Sequence, residues 1–257
     1  MTDLPDLIVR WQRGWSVARG LPAADPVPGG LRVRCQQPGR DVEYVALDPS
    51  SLPALADAVL REDEITWLTV PTTTPEATAA VLRDSGLVLL KRAEQLMAVK
   101  LREQPQSALA GPYRLEGHVS GQVATVTVWF SPPPVDPPAS PETSPVTAVD
   151  SPGKVSYPGP NLTPPSRGWG GVEAAHGTMG LSGRDAVADR ILTAPGHRRR
   201  GLARVVMGAL AEAAAAAGAE HGLLIASEEG RHLYAALGWR AVADVLIAAP
   251  PGTDYPA

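Results

Sequence analysis

Apolar side chains recur every three or four residues at the start of the chain, at Leu4, Leu7, Ile8, Trp11 and Trp15. That spacing predicts a helix over residues 3–19, stopped by Gly20 and Pro22. After a Pro/Gly stretch, residues 31–35 and 42–47 flank Pro38-Gly39-Arg40-Asp41, a hairpin signal. Ser50 or Ser51 can cap a helix running to about Leu60, and residues 65–70 read as a buried strand. Pro75 opens another helix with Ala77, Ala80 and Val81 facing inward, ended by Gly86. Residues 87–90 and 96–101 close this half as strands.

A second series begins at Tyr113. Within residues 118–130, Val123, Thr125, Thr127 and Trp129 alternate with Ala124, Val126 and Val128, predicting a strand buried on both faces. Residues 131–168 then hold twelve prolines and no periodicity, so they read as a flexible or polyproline-like insertion. Pro132-Pro133-Pro134 lacks the flanking basic residue of a polyproline ligand. Residues 172–181 and 186–193 flank Ser182-Gly183-Arg184-Asp185, another hairpin signal. A helix over residues 201–217 puts Leu202, Val205, Val206, Ala209 and Leu210 on one face, and Gly218 ends it. A short strand (222–226), a helix (228–237) closed by Gly238, and a last strand (239–248) follow. Each half thus has a hairpin, a helix, a short strand, a helix ending in glycine and a returning strand. Leu82 and Gly86 keep the four-residue spacing of Tyr234 and Gly238. This repeat of layout divides the chain into domains 1–105 and 106–257, with the insertion at 131–168 inside the second.

Composition narrows the function. The chain has 257 residues, 44% of them hydrophobic, enough for a core but with a single phenylalanine. The net charge of −4 disfavours a nucleic-acid or acidic-membrane partner. The lone Cys35 excludes an internal disulfide, and no second cysteine exists to share a metal. No apolar run reaches the roughly 18 residues of a membrane span, and the N-terminus has no basic-then-apolar signal pattern. The expected location is the cytoplasm, and the Ala, Gly, Pro and Arg content suggests a GC-rich bacterial source.

The informative stretch is DRILTAPGHRRRGLA, residues 189–203. A strand ends at Thr193, a Pro/Gly turn follows, and three arginines lead into Gly201-Leu202-Ala203 at a helix start. Unpaired N–H groups there bind phosphate, small residues let an anion approach, and the arginines add charge. A Walker loop fails, since Leu202-Ala203 stand where Lys-Ser/Thr would follow Gly201. A solvated charge run capping a helix is the blander alternative, and an arginine-run nucleic-acid site the weakest.

Arg198-x-x-Gly201-x-Ala203 resembles the pyrophosphate loop of the GNAT superfamily of N-acetyltransferases, and Leu233-Tyr234-Ala235-Ala236-Leu237-Gly238-Trp239 resembles its L-Y-x-x-x-G-F motif, with Trp for Phe. The resemblance covers residues 172–248. It implies an α/β fold of α+β type: tandem GNAT-like domains, each a mixed, mostly antiparallel sheet flanked by helices, the first degenerate. It also implies acetyl-CoA as co-substrate, without a metal, and direct transfer to the amine of a small-molecule or peptide acceptor. Ile191, Leu192 and Thr193 would pair with the pantetheine arm. Arg199, Arg200, Gly201, Leu202, Ala203 and Arg204 would bind the pyrophosphate, mostly through backbone N–H groups. Tyr234 would protonate the departing thiolate. Ser227 stands where many relatives carry Asn, which weakens it as a cofactor contact.

The proton acceptor is read from strand pairing. If the turn at 182–185 closes symmetrically, Thr178 opposes Asp189 and His176 opposes Ile191, collecting His176, Thr178 and Asp189 on one face. A surface pair of Asp189 with Arg190 or Arg184 is the alternative. The first half carries Leu47-Asp48-Pro49-Ser50-Ser51 at its counterpart loop and Leu82 in place of the tyrosine, so no CoA site is expected there. The competing function is a non-catalytic acyl-CoA-binding or interaction protein of the same fold. Acceptor identity, acyl length and oligomeric state carry no readable code.

Overall fold

The computed structural model describes residues 3–90, 93–131 and 171–253. The first half comprises α1 (Leu4–Arg19), β1 (Asp25–Val27), β2 (Gly30–Gln37), β3 (Arg40–Ala46), α2 (Leu52–Arg61), β4 (Thr66–Thr72), α3 (Pro75–Asp84), β5 (Val88–Leu89) and β6 (Glu94–Lys100). The second comprises β7 (Tyr113–Ser120), β8 (Val123–Phe130), β9 (Val172–Ser182), β10 (Asp185–Thr193), α4 (Leu202–Ala216), β11 (His221–Ala226), α5 (Gly230–Ala235) and β12 (Arg240–Ala249).

All twelve described strands join one mixed, mostly antiparallel sheet in the order β1-β2-β3-β4-β12-β6-β11-β10-β9-β8-β7, with β5 beside β12. The two halves exchange their closing strands. The last strand, β12, pairs with β4, while β6 pairs with β11, and the two exchanged strands pair with each other. Each half's sheet is therefore completed by the other's chain.

One face of the sheet carries α1, whose Ile8, Trp11 and Trp15 are buried against Val33, Val45, Trp67, Val187, Leu223 and Ile247. The other face carries α2 and α3 over the first half and α4 over the second. Each fully buried Leu, Val or Ile contributes about 1.5–3 kcal/mol. The helix α1 runs to Gly20, whose left-handed backbone (φ 64°) lets its N–H close onto Ser16 and Val17 carbonyls. It packs on β9 and β10, strands of the other half. None of the described helices is long and apolar enough to cross a membrane.

Three local expectations are corrected. Helix α3 buries Thr78, Ala79 and Leu82, leaving Ala77 and Ala80 exposed. The hydroxyls of Thr78 and Thr72 hydrogen-bond at 2.8 Å, and this buried polar pair turns the helix away from the alanine-rich face. The single strand expected over 118–130 breaks at Gly121 (φ 57°) into the hairpin β7–β8. Only the row Ala124, Val126 and Val128 is buried, because the outward row of β8 lies beyond α1. The Asp48 carboxylate caps the 3-10 turn over Pro49–Ser51 that leads into α2, and Ser51 takes the α2 N-cap position without a side-chain cap bond. The Pro-rich insertion at 131–168 lies outside the described residues apart from Ser131.

Candidate active site

Strands β10 and β11 run parallel but pair only from Asp185–His221 to Val187–Leu223. Beyond that point the β10 edge has no strand partner on this side among the described residues. The β10 register against β9 also shifts between Asp189 and Leu192, where Arg190 takes a left-handed backbone (φ 52°). This bulge has a consequence for the residues singled out in the sequence. Asp189 pairs with Thr178 as expected, but His176 faces Leu192 instead of Ile191. A single extra residue reverses the faces that follow. Ile191 turns toward α4, where its Cδ1 lies beside Gly177, and Leu192 stands 52% exposed.

A recess of about 670 Å³ opens where the two strands part, lined by Asp189, Arg190 and Ile191, by Ile225 and Ser227, and by Tyr234. Burial first, and then the Asp189 charge, push the Tyr234 phenol up to about 12, so it stays protonated near neutral pH. Its ring packs against Trp239, centroid to centroid at 6.0 Å. Ser227 lines the recess, but its Oγ also accepts the Gly230 N–H at 3.2 Å, capping α5. Ala93 and Glu94, from the first half, together with Ala188, Glu228 and Glu229, complete the wall. Sequence reasoning missed Glu94, because only the strand exchange brings β6 beside β11.

Asp189 is tied to the first helix. Arg19 donates Nε to Oδ2 and Nη2 to Oδ1, both at 2.9 Å, and Thr178 Oγ1 donates to the Asp189 carbonyl at 3.0 Å. His176 does not join this group. Its Nδ1 meets the Glu173 carboxylate, and it does not line the recess. Among the described residues no three metal-ligating side chains come together.

At the far end of β10 the loop over residues 194–201 leads into α4. Arg199 (φ 61°) and Gly201 (φ 76°) both take left-handed conformations, a concave arrangement that turns successive N–H groups outward. The N–H groups of residues 199–203 donate to no protein acceptor among the described residues. A Cβ at Gly201 or Gly196 would meet nothing within 4 Å, so the cradle opens to free space. The loop is pinned from behind: Tyr113 Oη lies 3.0 Å from His197 Nδ1 and 3.0 Å from Arg200 Nη1. Phe130 stacks behind His197 with centroids 5.0 Å apart.

The first-half counterpart of this loop is already filled. The Asp48 carboxylate accepts the Ser50 N–H at 2.9 Å and the Ser50 hydroxyl at 2.6 Å, and the hydrogen bonds hold it ionised below the usual carboxylate range. A phosphate there would meet a fixed negative charge.

Residues 185–246, from β10 into β12, match the family model of the FR47-like proteins. No curated protein sequence matches the chain. Among solved structures, a GCN5-related N-acetyltransferase from Kribbella flavida superposes with a TM-score of 0.62 at 14% identity, covering 98% of this chain and 97% of that one. A GNAT-family protein from Novosphingobium aromaticivorans gives 0.52 at 16% identity, covering 96% and 99%. A tandem GNAT protein from the clavulanic acid biosynthesis pathway gives 0.50 at 10% identity, covering 96% and 93%. Residues 185–246 thus group with the FR47-like proteins, and the whole chain has the tandem fold of the GCN5-related N-acetyltransferases.

Proposed function

We propose that the protein transfers an acetyl group from acetyl-CoA to an amine, with the chemistry in residues 106–257 and residues 1–105 as scaffold and acceptor wall. The carrying observation is that one recess holds Tyr234 and the β10 edge that parts from β11, and that the same strand leads into an open amide cradle. The residues fit the cofactor. The β10 edge at Ile191, Leu192 and Thr193 offers backbone groups to the amides of a pantetheine arm. The N–H groups of Arg199, Arg200, Gly201, Leu202 and Ala203 would hold the pyrophosphate, with the side chains of Arg199, Arg200 and Arg204 adding charge. Bound acetyl-CoA would supply an activated thioester carbonyl. Tyr234, kept protonated, donates to the departing sulfur. Asp189, locked by Arg19, positions α1 and keeps the phenol protonated. With both its oxygens engaged it is a poor proton acceptor, and His176 lies outside the recess.

A non-catalytic acyl-CoA-binding protein is the second reading, favoured by that same engagement of Asp189. Thermal-shift titration with acetyl-CoA, CoA and ATP tests binding, repeated with Gly201→Glu. At a hundred times the dissociation constant a ligand adds about 2.7 kcal/mol. Both CoA species should raise the melting temperature of the wild type and neither that of the variant. No CoA shift would end both readings, while binding without CoA release on any amine would favour the second.

A further inference from the structure

The two ends of the sheet are built differently. At one end β1 holds only Asp25-Pro26-Val27, and its shortness, charge and proline all discourage another strand from pairing there. At the other end β7 runs eight residues with no proline and no break in its register against β8. Its residues 114–120 are all exposed, and β7 has no strand partner on its outer side among the described residues. A long, regular edge of this kind is a template for a further strand.

The phase of the β7–β8 ladder fixes what the edge offers. The Ser131 N–H donates to the Pro112 carbonyl at 2.9 Å, continuing the register of the pair. Bonded and non-bonded pairs alternate along an antiparallel ladder, so Arg114, Glu116, His118 and Ser120 direct their N–H and C=O groups to β8. Leu115, Gly117 and Val119 turn theirs outward. Their side-chain positions share a face with Val128, Val126 and Ala124, the row buried beneath α4, and Leu115 and Val119 remain 39% and 45% exposed. Arg114, Glu116, His118 and Ser120 take the opposite face. Glu116 is steadied there by the Trp129 Nε1–H, which donates to its Oε2 at 2.9 Å.

We infer that β7 is a homodimer interface, pairing antiparallel with β7 of a second copy about a two-fold axis through Gly117 and joining the two sheets into one. The strand is its own complement in that register. Leu115 faces the second copy's Val119, Glu116 faces its His118, and the two-fold makes each contact twice. The outward N–H and C=O groups of Leu115, Gly117 and Val119 all gain partners. Opposite charges across a strand pair stabilise it and like charges destabilise it. Centring the axis on Glu116 would set the two Glu116 carboxylates against each other and Arg114 against His118. Centring it on His118 would oppose the two histidines and leave Val119 facing Gly117. An axis nearer either end of β7 runs the overlap past Pro112 or Gly121 and leaves outward groups unpaired.

Sedimentation velocity of the full chain across a dilution series tests the edge. The wild type should show a concentration-dependent species of twice the chain mass. His118→Glu sets carboxylates opposite Glu116 in both pairs and should weaken association about tenfold. Glu116→Lys sets lysine opposite His118 and should weaken it as well. A mixture of the two variants has opposite charges in both pairs, so it should regain the dimer near the wild-type affinity. Val119→Pro removes an outward N–H and none that bonds β8, and should abolish the dimer with the far-ultraviolet circular dichroism unchanged. The charge variants decide the matter even where the proline unfolds the hairpin, since Glu116 and His118 are both exposed. A wild type that stays monomeric at every concentration would overturn the interface. So would a dimer that His118→Glu leaves unmoved, or a mixture no more associated than its components.

Discussion

Arg19 on the first helix and Asp189 on the tenth strand, 170 positions apart, meet in a two-point ion pair with both contacts at 2.9 Å. The guanidinium and carboxylate are 18% and 11% exposed, so the pair is largely withdrawn from water. Their joint position fixes the end of α1 against the strand that borders the recess. It also places a fixed negative charge near Tyr234.

Removing one partner leaves the other poorly solvated. Arg19→Ala should lower stability by about 2–3 kcal/mol, as expected for charged hydrogen bonds lost from a half-buried site. Asp189→Asn should cost a similar amount, and the double variant clearly less than the sum, a coupling of at least about 1 kcal/mol. Urea unfolding of the four proteins measures this cycle. Additive losses would mean that the two side chains do not depend on each other.

Tyr234→Phe should lower kcat by about a hundredfold or more while changing acetyl-CoA affinity less than twofold, since only proton donation is lost. The phenol also has a pH signature. Its value is raised from 10 to about 12 in the folded state, so the native protein holds this proton more tightly than the unfolded chain. The resulting stability is full below pH 10 and is lost as pH climbs toward 12. Melting temperatures between pH 9 and 12 should therefore fall more steeply in the wild type than in Tyr234→Phe.

One CoA should bind per chain. The second-half loop turns five N–H groups to open space, whereas the first-half loop spends its own on Asp48. Calorimetry should give a stoichiometry near one, and Gly201→Glu should abolish it. Two equivalents of CoA would contradict the assignment of the first half as scaffold.

Cys35 should be inert to thiol reagents until the protein unfolds. It is 2% exposed, and burial together with the neighbouring Glu43 charge pushes its thiol up to about 12. Ellman's reagent should label it only in denaturant. Rapid labelling of the folded protein would mean that the Glu43 region opens readily.

Much of this layout is legible in the chain because it depends on local signals. Gly20, Gly86, Gly183 and Gly238 stand at positive φ where the sequence places stops and turns, and the loop from Arg198 to Ala203 folds at a strand-to-helix junction. What escapes is non-local. The bulge at Arg190 moves Ile191 to the α4 face, and an extra residue in a strand leaves no mark in an apolar pattern. The strand exchange brings Glu94 to the recess and α1 to the opposite half, yet β6 and β12 read as ordinary closing strands of their own halves. Glu43 and Asp189 are single carboxylates in short strands, and only their partners Arg40, Thr69 and Arg19 show why they are held inside.

The tight seat of α1 on β9 yields the last prediction. A Cβ on Gly180 of β9 would fall 2.0 Å from the Gly14 carbonyl oxygen and 2.6 Å from the Ala18 amide nitrogen of α1. Both are backbone atoms, so no rotamer change relieves the clash and the helix must lift from the sheet. Gly14 faces the same constraint, its absent Cβ lying 2.3 Å from Val187 Cγ2. Because α1 carries Arg19, lifting it would break the Asp189 pair at the recess wall while leaving the amide cradle of α4 in place. Gly180→Ala should therefore cost about 3 kcal/mol or more in stability. In the fraction that folds, amine transfer should fall well beyond any loss of acetyl-CoA binding. Parallel titrations of acetyl-CoA affinity and amine turnover at low temperature separate the two effects. Equal losses in both would show that α1 supports the cofactor loop as much as the acceptor side.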